Sequence, residues 1–213
     1  SKRRRGIPSD NKPELRIERL ARVLDSDGVP APNLWTNEQE EQLAEKLIPT
    51  GEPVLAVGPT ANWRAKTWRS ENFAELIRRI RGHKGILPDS RVAIFGRDDE
   101  RPEVVSLISD IPDSKCIDLV GKISLLVAFS CLKRCSLYVG NDSGLMHLAA
   151  ASGIPTLALF GPTQENLYAP WGEHTSVVRT EIGFESIFPD NFDHRESDTL
   201  MDSLTVDMAE KGA

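Results

Sequence analysis

Asn141, Asp142, Ser143 and His147 place four side chains with hydrogen-bonding capacity within about two helical turns, and Gly144 stands in their midst. Set at the start of a helix, such a group suits an anion. The unpaired N–H groups of a first turn and the positive end of the helix dipole both attract phosphate. Asp142 or Ser143 can cap the helix by accepting from those N–H groups, and Gly144 has no Cβ to keep a ligand away from them. As plain structure, Asp-Ser-Gly is a strand-to-helix turn and nothing more; the crowding of polar groups is what argues for a site.

Two further groups could complete it. Residues 59–69 contain Asn62, Trp63, Arg64, Lys66, Trp68 and Arg69, two indoles among three cations. An ordinary exposed loop carries such snorkelling charges too, whereas a phosphate clamp would use Lys66 as a compact positive charge. Arg97-Asp98-Asp99-Glu100 supplies acids. Acidic residues are favoured in any first helical turn, yet one carboxylate just past a strand end could accept both hydroxyls of a ribose. Glu100 is the choice, although spacing alone does not separate it from Asp99.

The elements that must position these groups follow from hydrophobic patterning. Leu137 to Val139 reads as a strand, residues 141–144 as a turn, Leu145 to Ser152 as a helix and Pro155 to Phe160 as a second buried strand. Ala149-Ala150-Ala151 lets that helix lie close on the sheet, and Gly161-Pro162-Thr163 ends the second strand at the edge where open α/β sheets bind ligands. Upstream, Glu52 to Gly58 is an apolar run suited to a parallel sheet covered on both faces, Ser70 caps a helix to about Arg81, and Arg91 to Gly96 and Cys116 to Leu119 are strands. A helix runs from Ser124 to Arg134, and Ser176 to Arg179 is a last short strand. The sum is an α/β, Rossmann-like parallel sheet flanked by helices.

The flanks are less regular. Residues 1–50 form a charged helical lead-in, with Leu15, Ile17, Leu20, Val23 and Leu24 at helical spacing and a second helix over 36–47 opened by Thr36. Asp25-Ser26-Asp27 reads as a turn. Residues 51–180 form the Rossmann-like unit, and residues 181–213 a loop followed by a helix from Thr199 to Lys211 with Leu200, Met201, Leu204 and Met208 facing inward.

Composition excludes several classes. A chain of 213 residues with 39% hydrophobic content can bury one good core. A net charge of −6 argues against a general nucleic-acid binder; the Lys2 to Arg5 run reads as a solvated tail or a linker. No apolar run approaches the roughly 20 residues that span a bilayer. Cys116, Cys131 and Cys135 form no C-x-x-C pair and read as reduced core cysteines. No G-x-G-x-x-G or G-x-x-x-x-G-K-[ST] occurs.

Residues 139–163 resemble the nucleotide-sugar signature of glycosyltransferase family 9, which includes the lipopolysaccharide heptosyltransferases. The resemblance extends to Gly58-Pro59-Thr60, to Lys66-Thr67-Trp68, to residues 72–76 and to Leu119-Val120-Gly121-Lys122-Ile123-Ser124-Leu125, in the same order over roughly residues 53–180. It implies the C-terminal, donor-binding half of a two-domain GT-B enzyme, without the acceptor-binding half. The implied activity is inverting, metal-independent transfer of a sugar from a nucleotide-diphosphate donor, ADP-heptose or similar, to a lipid A-core or other glycan acceptor. The donor is a substrate and no cofactor is expected. Lys66, Glu100, Asp142, Ser143, Gly144 and His147 would hold the donor, Lys66 would stabilise the leaving diphosphate, and the residues 119–125 turn would border the base. The general base is expected outside this chain, so the isolated chain should bind donor without transferring sugar. The implied location is cytoplasmic or peripheral at the inner face of the membrane. The terminal helix, which often crosses to the other half in such enzymes, could stand exposed or displaced here. The other readings are a non-catalytic nucleotide-binding or interaction module of the same fold, and a nucleotide-sugar epimerase.

Overall fold

A computed structural model describes residues 12–190, 192–193 and 196–213; the Lys2 to Arg5 run lies outside them. Among the described residues six strands form one sheet: β1 (Val54–Gly58), β2 (Arg91–Ile94), β3 (Cys116–Asp118), β4 (Leu137–Asn141), β5 (Thr156–Phe160) and β6 (Thr175–Arg179). Every pairing is parallel and the order is β3-β2-β1-β4-β5-β6. The chain thus builds outward from β1 in one direction, returns to β4 beside β1, and builds outward in the other. The point where it turns back lies between the carboxyl ends of β1 and β4, which is where such sheets open a crevice.

Both faces of the sheet are covered, and β1 shows how. Its five residues are all buried, with Val54 and Ala56 in one hydrophobic cluster and Leu55 and Val57 in the other, as the alternation of side chains along a strand requires. The first face packs against α2 (Glu38–Leu47), α5 (Leu125–Leu132) and α6 (Gly144–Ser152); the second packs against α3 (Ser70–Arg81), α4 (Arg101–Ser109) and α8 (Val206–Gly212). Helix α1 (Arg16–Leu24) precedes these, tied to the body by Arg16, which donates to the Tyr168 hydroxyl in α7 (Glu165–Tyr168) at 3.0 Å.

Three helix starts differ from the sequence expectation. Helix α2 is opened by Asn37, whose side chain accepts from Glu40 N while Glu40 reaches back to Asn37 N, so the reciprocal capping pair falls one residue after Thr36. Ser70 is the first helical residue of α3 and Arg69 the cap position; Ser70 Oγ instead donates to Glu103 O at 3.3 Å. The last helix covers only residues 206–212. Thr199 Oγ1 donates to Thr67 O at 2.6 Å and accepts from Met201 N at 3.0 Å, and Leu200 N donates to Ala65 O at 2.9 Å. These local bonds compete with helix formation, and Thr205 then caps α8 by accepting from Met208 N. The segment is not displaced: Met201 and Leu204 are buried in the second cluster although neither is helical.

Candidate functional site

The carboxyl edge of the sheet carries a cavity of about 770 Å³ at the crevice between β1 and β4. Lys66, Glu100, Asp142, Ser143, Gly144 and His147 all line it. Its walls are apolar on one side, with Phe95, Leu119, Ile123, Leu125 and Ala128.

Lys66 reaches the cavity because its loop is held from two directions. Asn141, at the end of β4 and fully buried, accepts from Trp68 N at 3.1 Å and donates to Pro59 O at 2.8 Å. Both ends of the loop are therefore pinned to one side chain. From the other side the C-terminal segment grips it. Besides the Thr199 and Leu200 bonds, Trp68 Nε1 donates to Leu204 O at 2.9 Å, Arg64 pairs with Asp198, and Arg69 pairs with Asp198 and Asp202. Trp63 stacks on Phe188, with ring centroids 6.5 Å apart. Of the loop's three cations only Lys66 lines the cavity. A short 3-10 turn over Arg64–Lys66 brings its Nζ to 3.1 Å from Asp142 Oδ2, with side chains 13% and 7% exposed.

The start of α6 is open to the cavity. Ser143 stands at its cap position, but neither its side chain nor that of Asp142 accepts from a first-turn N–H: Ser143 makes no side-chain cap, and Asp142 is engaged by Lys66. The expectation that one of them caps the helix is thereby corrected. Lysine competes for the Asp142 carboxylate, so the N–H groups of the first turn keep their positive potential toward the cavity. Asn141 likewise leaves the polar set proposed from sequence, its amide being spent on the loop. A Cβ added at Gly144 would have no atom of the described residues within 4 Å, so none of them crowds this approach. His147, one turn on, is exposed at the rim. Partial burial and the neighbouring Lys66 ammonium hold its pKa below the usual 6.5, with the Asp142 carboxylate acting in the opposite sense.

Across the cavity the structure separates Glu100 from Asp99. Glu100 Oε2 accepts from Thr60 Oγ1 at 2.8 Å and from Arg97 N at 2.7 Å, and the residue is 8% exposed. Asp99 pairs with Arg97 in solvent. Glu100 thus presents a fixed carboxylate to the cavity, with Oε1 the oxygen left to meet a ligand or Arg97 Nε at 3.4 Å. In the turn after β3, Gly121 has φ 69°, and a Cβ there would lie 2.7 Å from Asp98 Cα, so glycine is required for the turn to approach Asp98. Lys122 turns away to Asp118 at 2.6 Å, leaving Gly121, Ile123, Ser124 and Leu125 on the cavity wall.

Cys131 and Cys135 lie in the core and burial pushes both thiols up. No group of three or more His, Cys, Asp or Glu that could hold a metal ion occurs among the described residues, and no helix among them is long and apolar enough to cross a membrane. The C-terminal grip on the Lys66 loop escaped the sequence reading. Asp198 ends an acidic stretch without periodicity and Asp202 falls in the segment read as a helix, and only their opposite charge to Arg64 and Arg69 could have suggested the pairing.

The sequence profile of glycosyltransferase family 9 (heptosyltransferase) matches residues 13–187. Lipopolysaccharide heptosyltransferase 2 of Salmonella typhimurium is 28% identical over 190 residues, which are 81% of this chain and 53% of that protein. Among solved structures, E. coli ADP-heptose LPS heptosyltransferase II superposes with a TM-score of 0.72 at 22% identity, over 93% of this chain and 60% of the other. E. coli heptosyltransferase WaaC with ADP superposes with a TM-score of 0.63 at 21% identity, over 94% of this chain and 56% of the other. The chain spans about half the length of the curated relatives it matches. The profile match takes in every strand of the sheet and every polar group of the cavity, and the chain therefore belongs to glycosyltransferase family 9, the heptosyltransferase family.

Proposed function

We propose that this chain is the donor-binding half of a heptosyltransferase, and that the cavity between β1 and β4 takes the nucleoside diphosphate of an ADP-heptose-like donor. The observation that carries this reading is the placement of the Lys66 ammonium at the uncapped start of α6, a preformed anion site at the sheet's switch point. The diphosphate lies on the first-turn N–H groups of α6. Glu100 accepts from the ribose, the apolar wall from Leu119 to Ala128 packs on the base, and His147 donates to phosphate or sugar.

The chemistry is leaving-group stabilisation. As the bond from the sugar to the diphosphate breaks, negative charge grows on the phosphate oxygens. Lys66 and the helix start meet that charge with donors already in place, which lowers the barrier without reorganisation. No cofactor or metal enters this reading. Direct displacement at the sugar carbon inverts its configuration and needs a base to take the acceptor's proton. A second half, which also holds the lipopolysaccharide or other glycan acceptor, supplies that base. The location that fits is the cytoplasm or the inner membrane face.

Calorimetric titration with ADP-heptose, ADP, UDP and GDP tests this. Saturable binding of ADP-heptose and ADP, with weaker or no binding of UDP and GDP, is the expected result. Absence of binding by all four would overturn the donor-site reading and favour a module that kept the fold for another purpose.

A further inference from the structure

Behind the apolar wall of the cavity stands an arginine that is not among the residues lining it. Arg101 is the first residue of α4, one position after Glu100, and its side chain runs to the end of β3. Nη1 donates to Asp118 Oδ2 at 3.0 Å and Nη2 to Asp118 Oδ1 at 3.3 Å, while Nη2 also donates to Val120 O. Asp118 Oδ1 in turn accepts from Val120 N at 3.1 Å. One guanidinium and one carboxylate thus hold both main-chain polar groups of Val120, the residue through which the chain leaves β3 for the turn that follows.

Val120 packs into the second core cluster, whereas Leu119, Gly121 and Ile123 around it line the cavity. Main-chain bonds from Leu119 N to Ile94 O and from Gly121 N to Gly96 O, both 3.0 Å, tie this turn to the end of β2. Arg101 is what ties it to α4. Glu100 does not depend on that arginine, because its carboxylate is held by Thr60 Oγ1 and Arg97 N. The main chain of Arg101 continues the short turn that carries Glu100, and its side chain grips the wall, so a single residue sets the span between carboxylate and wall. With side chains 34% and 20% exposed, the Arg101–Asp118 pair adds only modestly to stability as an ion pair. What the planar fork adds is geometry: two bonds to one carboxylate and one to a carbonyl, which the point charge of a lysine does not reproduce.

We infer that Arg101 is a positioning residue for the nucleoside: by bridging Asp118 and Val120 O it holds the wall of Leu119, Gly121 and Ile123 at the distance from Glu100 that lets a base pack on the wall while its ribose meets the carboxylate. This rests on the donor-site reading of the cavity and adds to it a residue that touches no ligand itself. The diphosphate, held at Lys66 and the start of α6, lies outside the reach of this bridge. Nucleoside and diphosphate recognition are therefore separable in this cavity, and Arg101 belongs to the first alone.

Two variants and three ligands test it. ADP would be titrated into the 213-residue chain, Arg101→Met and Arg101→Lys, with adenosine and pyrophosphate read by displacement of ADP and Tm measured for each protein. Both variants should weaken ADP and adenosine by the same factor, about 10-fold for a base that loses part of its apolar contact, and leave pyrophosphate unchanged. Equal losses for all three ligands would mean that the whole cavity has loosened and would overturn the inference. Unchanged ADP binding in Arg101→Met would do the same, and full affinity in Arg101→Lys would make charge, and not the bridging fork, the operative feature. If the unmodified chain binds none of the three ligands, the donor-site reading falls and takes this inference with it; binding by the unmodified chain with an inert Arg101→Met removes the role of Arg101 alone.

Discussion

Lys66 Nζ lies 3.1 Å from Asp142 Oδ2, and the two side chains are among the least exposed charged groups that face the cavity. The lysine is therefore not waiting in solvent for a phosphate. It is already held at the start of α6 by a carboxylate, and an incoming diphosphate must share or take over that charge. Opposite effects follow for the two partners. Lys66→Ala removes a charge-assisted contact worth on the order of 1.5–3 kcal/mol and should weaken ADP binding by roughly 10- to 100-fold. Asp142→Asn frees the lysine and removes a negative charge beside the phosphate, so ADP should bind more tightly while thermal stability falls. Lys46→Ala, on the exposed side of α2, is the control and should change neither. Calorimetry at one fixed salt concentration reads all three; weaker ADP binding in Asp142→Asn would show that the carboxylate contacts the ligand and does not compete with it.

Gly144 offers a cleaner probe of the helix start. It is exposed, its φ is ordinary and no atom of the described residues lies within 4 Å of where a Cβ would stand. Gly144→Val should therefore fold, with a stability change within about 1 kcal/mol. Its branched side chain would stand over the first-turn N–H groups and abolish ADP binding. Normal affinity in a variant with normal Tm would move the phosphate away from α6.

The C-terminal grip on the Lys66 loop makes Thr199 the residue to change. Thr199→Val keeps the shape but deletes the donor to Thr67 O and the acceptor for Met201 N, leaving a buried carbonyl and a buried N–H unpaired. A loss of about 2 kcal/mol is expected, which is about 4–8 °C in Tm for a chain of this size. Because that bond also fixes the loop carrying Lys66, ADP affinity should fall with it. A lower Tm with full affinity would mean that Asn141 alone suffices to position Lys66.

Legibility in the sequence divided along physical lines. The β4 to β5 unit was readable because Leu137 to Val139 and Pro155 to Phe160 are apolar runs bounded by turn residues, and a parallel strand buried on both faces has no polar side to confuse. The cavity's polar residues were readable because most sit within a few residues of strand ends, so sequence spacing maps onto one edge. Their partners were not. Whether Asn141 faces the ligand or the loop, whether Glu100 or Asp99 is fixed, and whether Asp142 is free to cap α6 depend on residues 40 to 82 positions away, such as Thr60 for Glu100, Lys66 for Asp142 and Pro59 for Asn141. Residues 199–204 misled for a related reason. Leu200, Met201 and Leu204 have helical spacing, but Thr199 and the backbone of residues 65–67 win the hydrogen bonds that a helix would need.

His147 gives the pH dependence. Its pKa in the folded protein lies below 6.5 because partial burial and Lys66 disfavour the imidazolium. The unfolded chain consequently binds the proton more readily, and the residue's contribution to stability is lost as pH falls through about 6.5 toward the folded value. A diphosphate at the start of α6 would reverse the local field and raise that pKa, so binding takes up a proton and ADP affinity should grow as pH is lowered from 8 toward 6. The ligand's own terminal phosphate titrates near pH ~6, so the quantity to measure is the difference between the unmodified chain and His147→Gln across that range. The two profiles should converge at pH 8, where His147 is neutral in free and bound states, and separate below 7 with the unmodified chain binding more tightly. Parallel profiles would mean that His147 keeps its neutral form beside the phosphate and acts there only as an N–H donor.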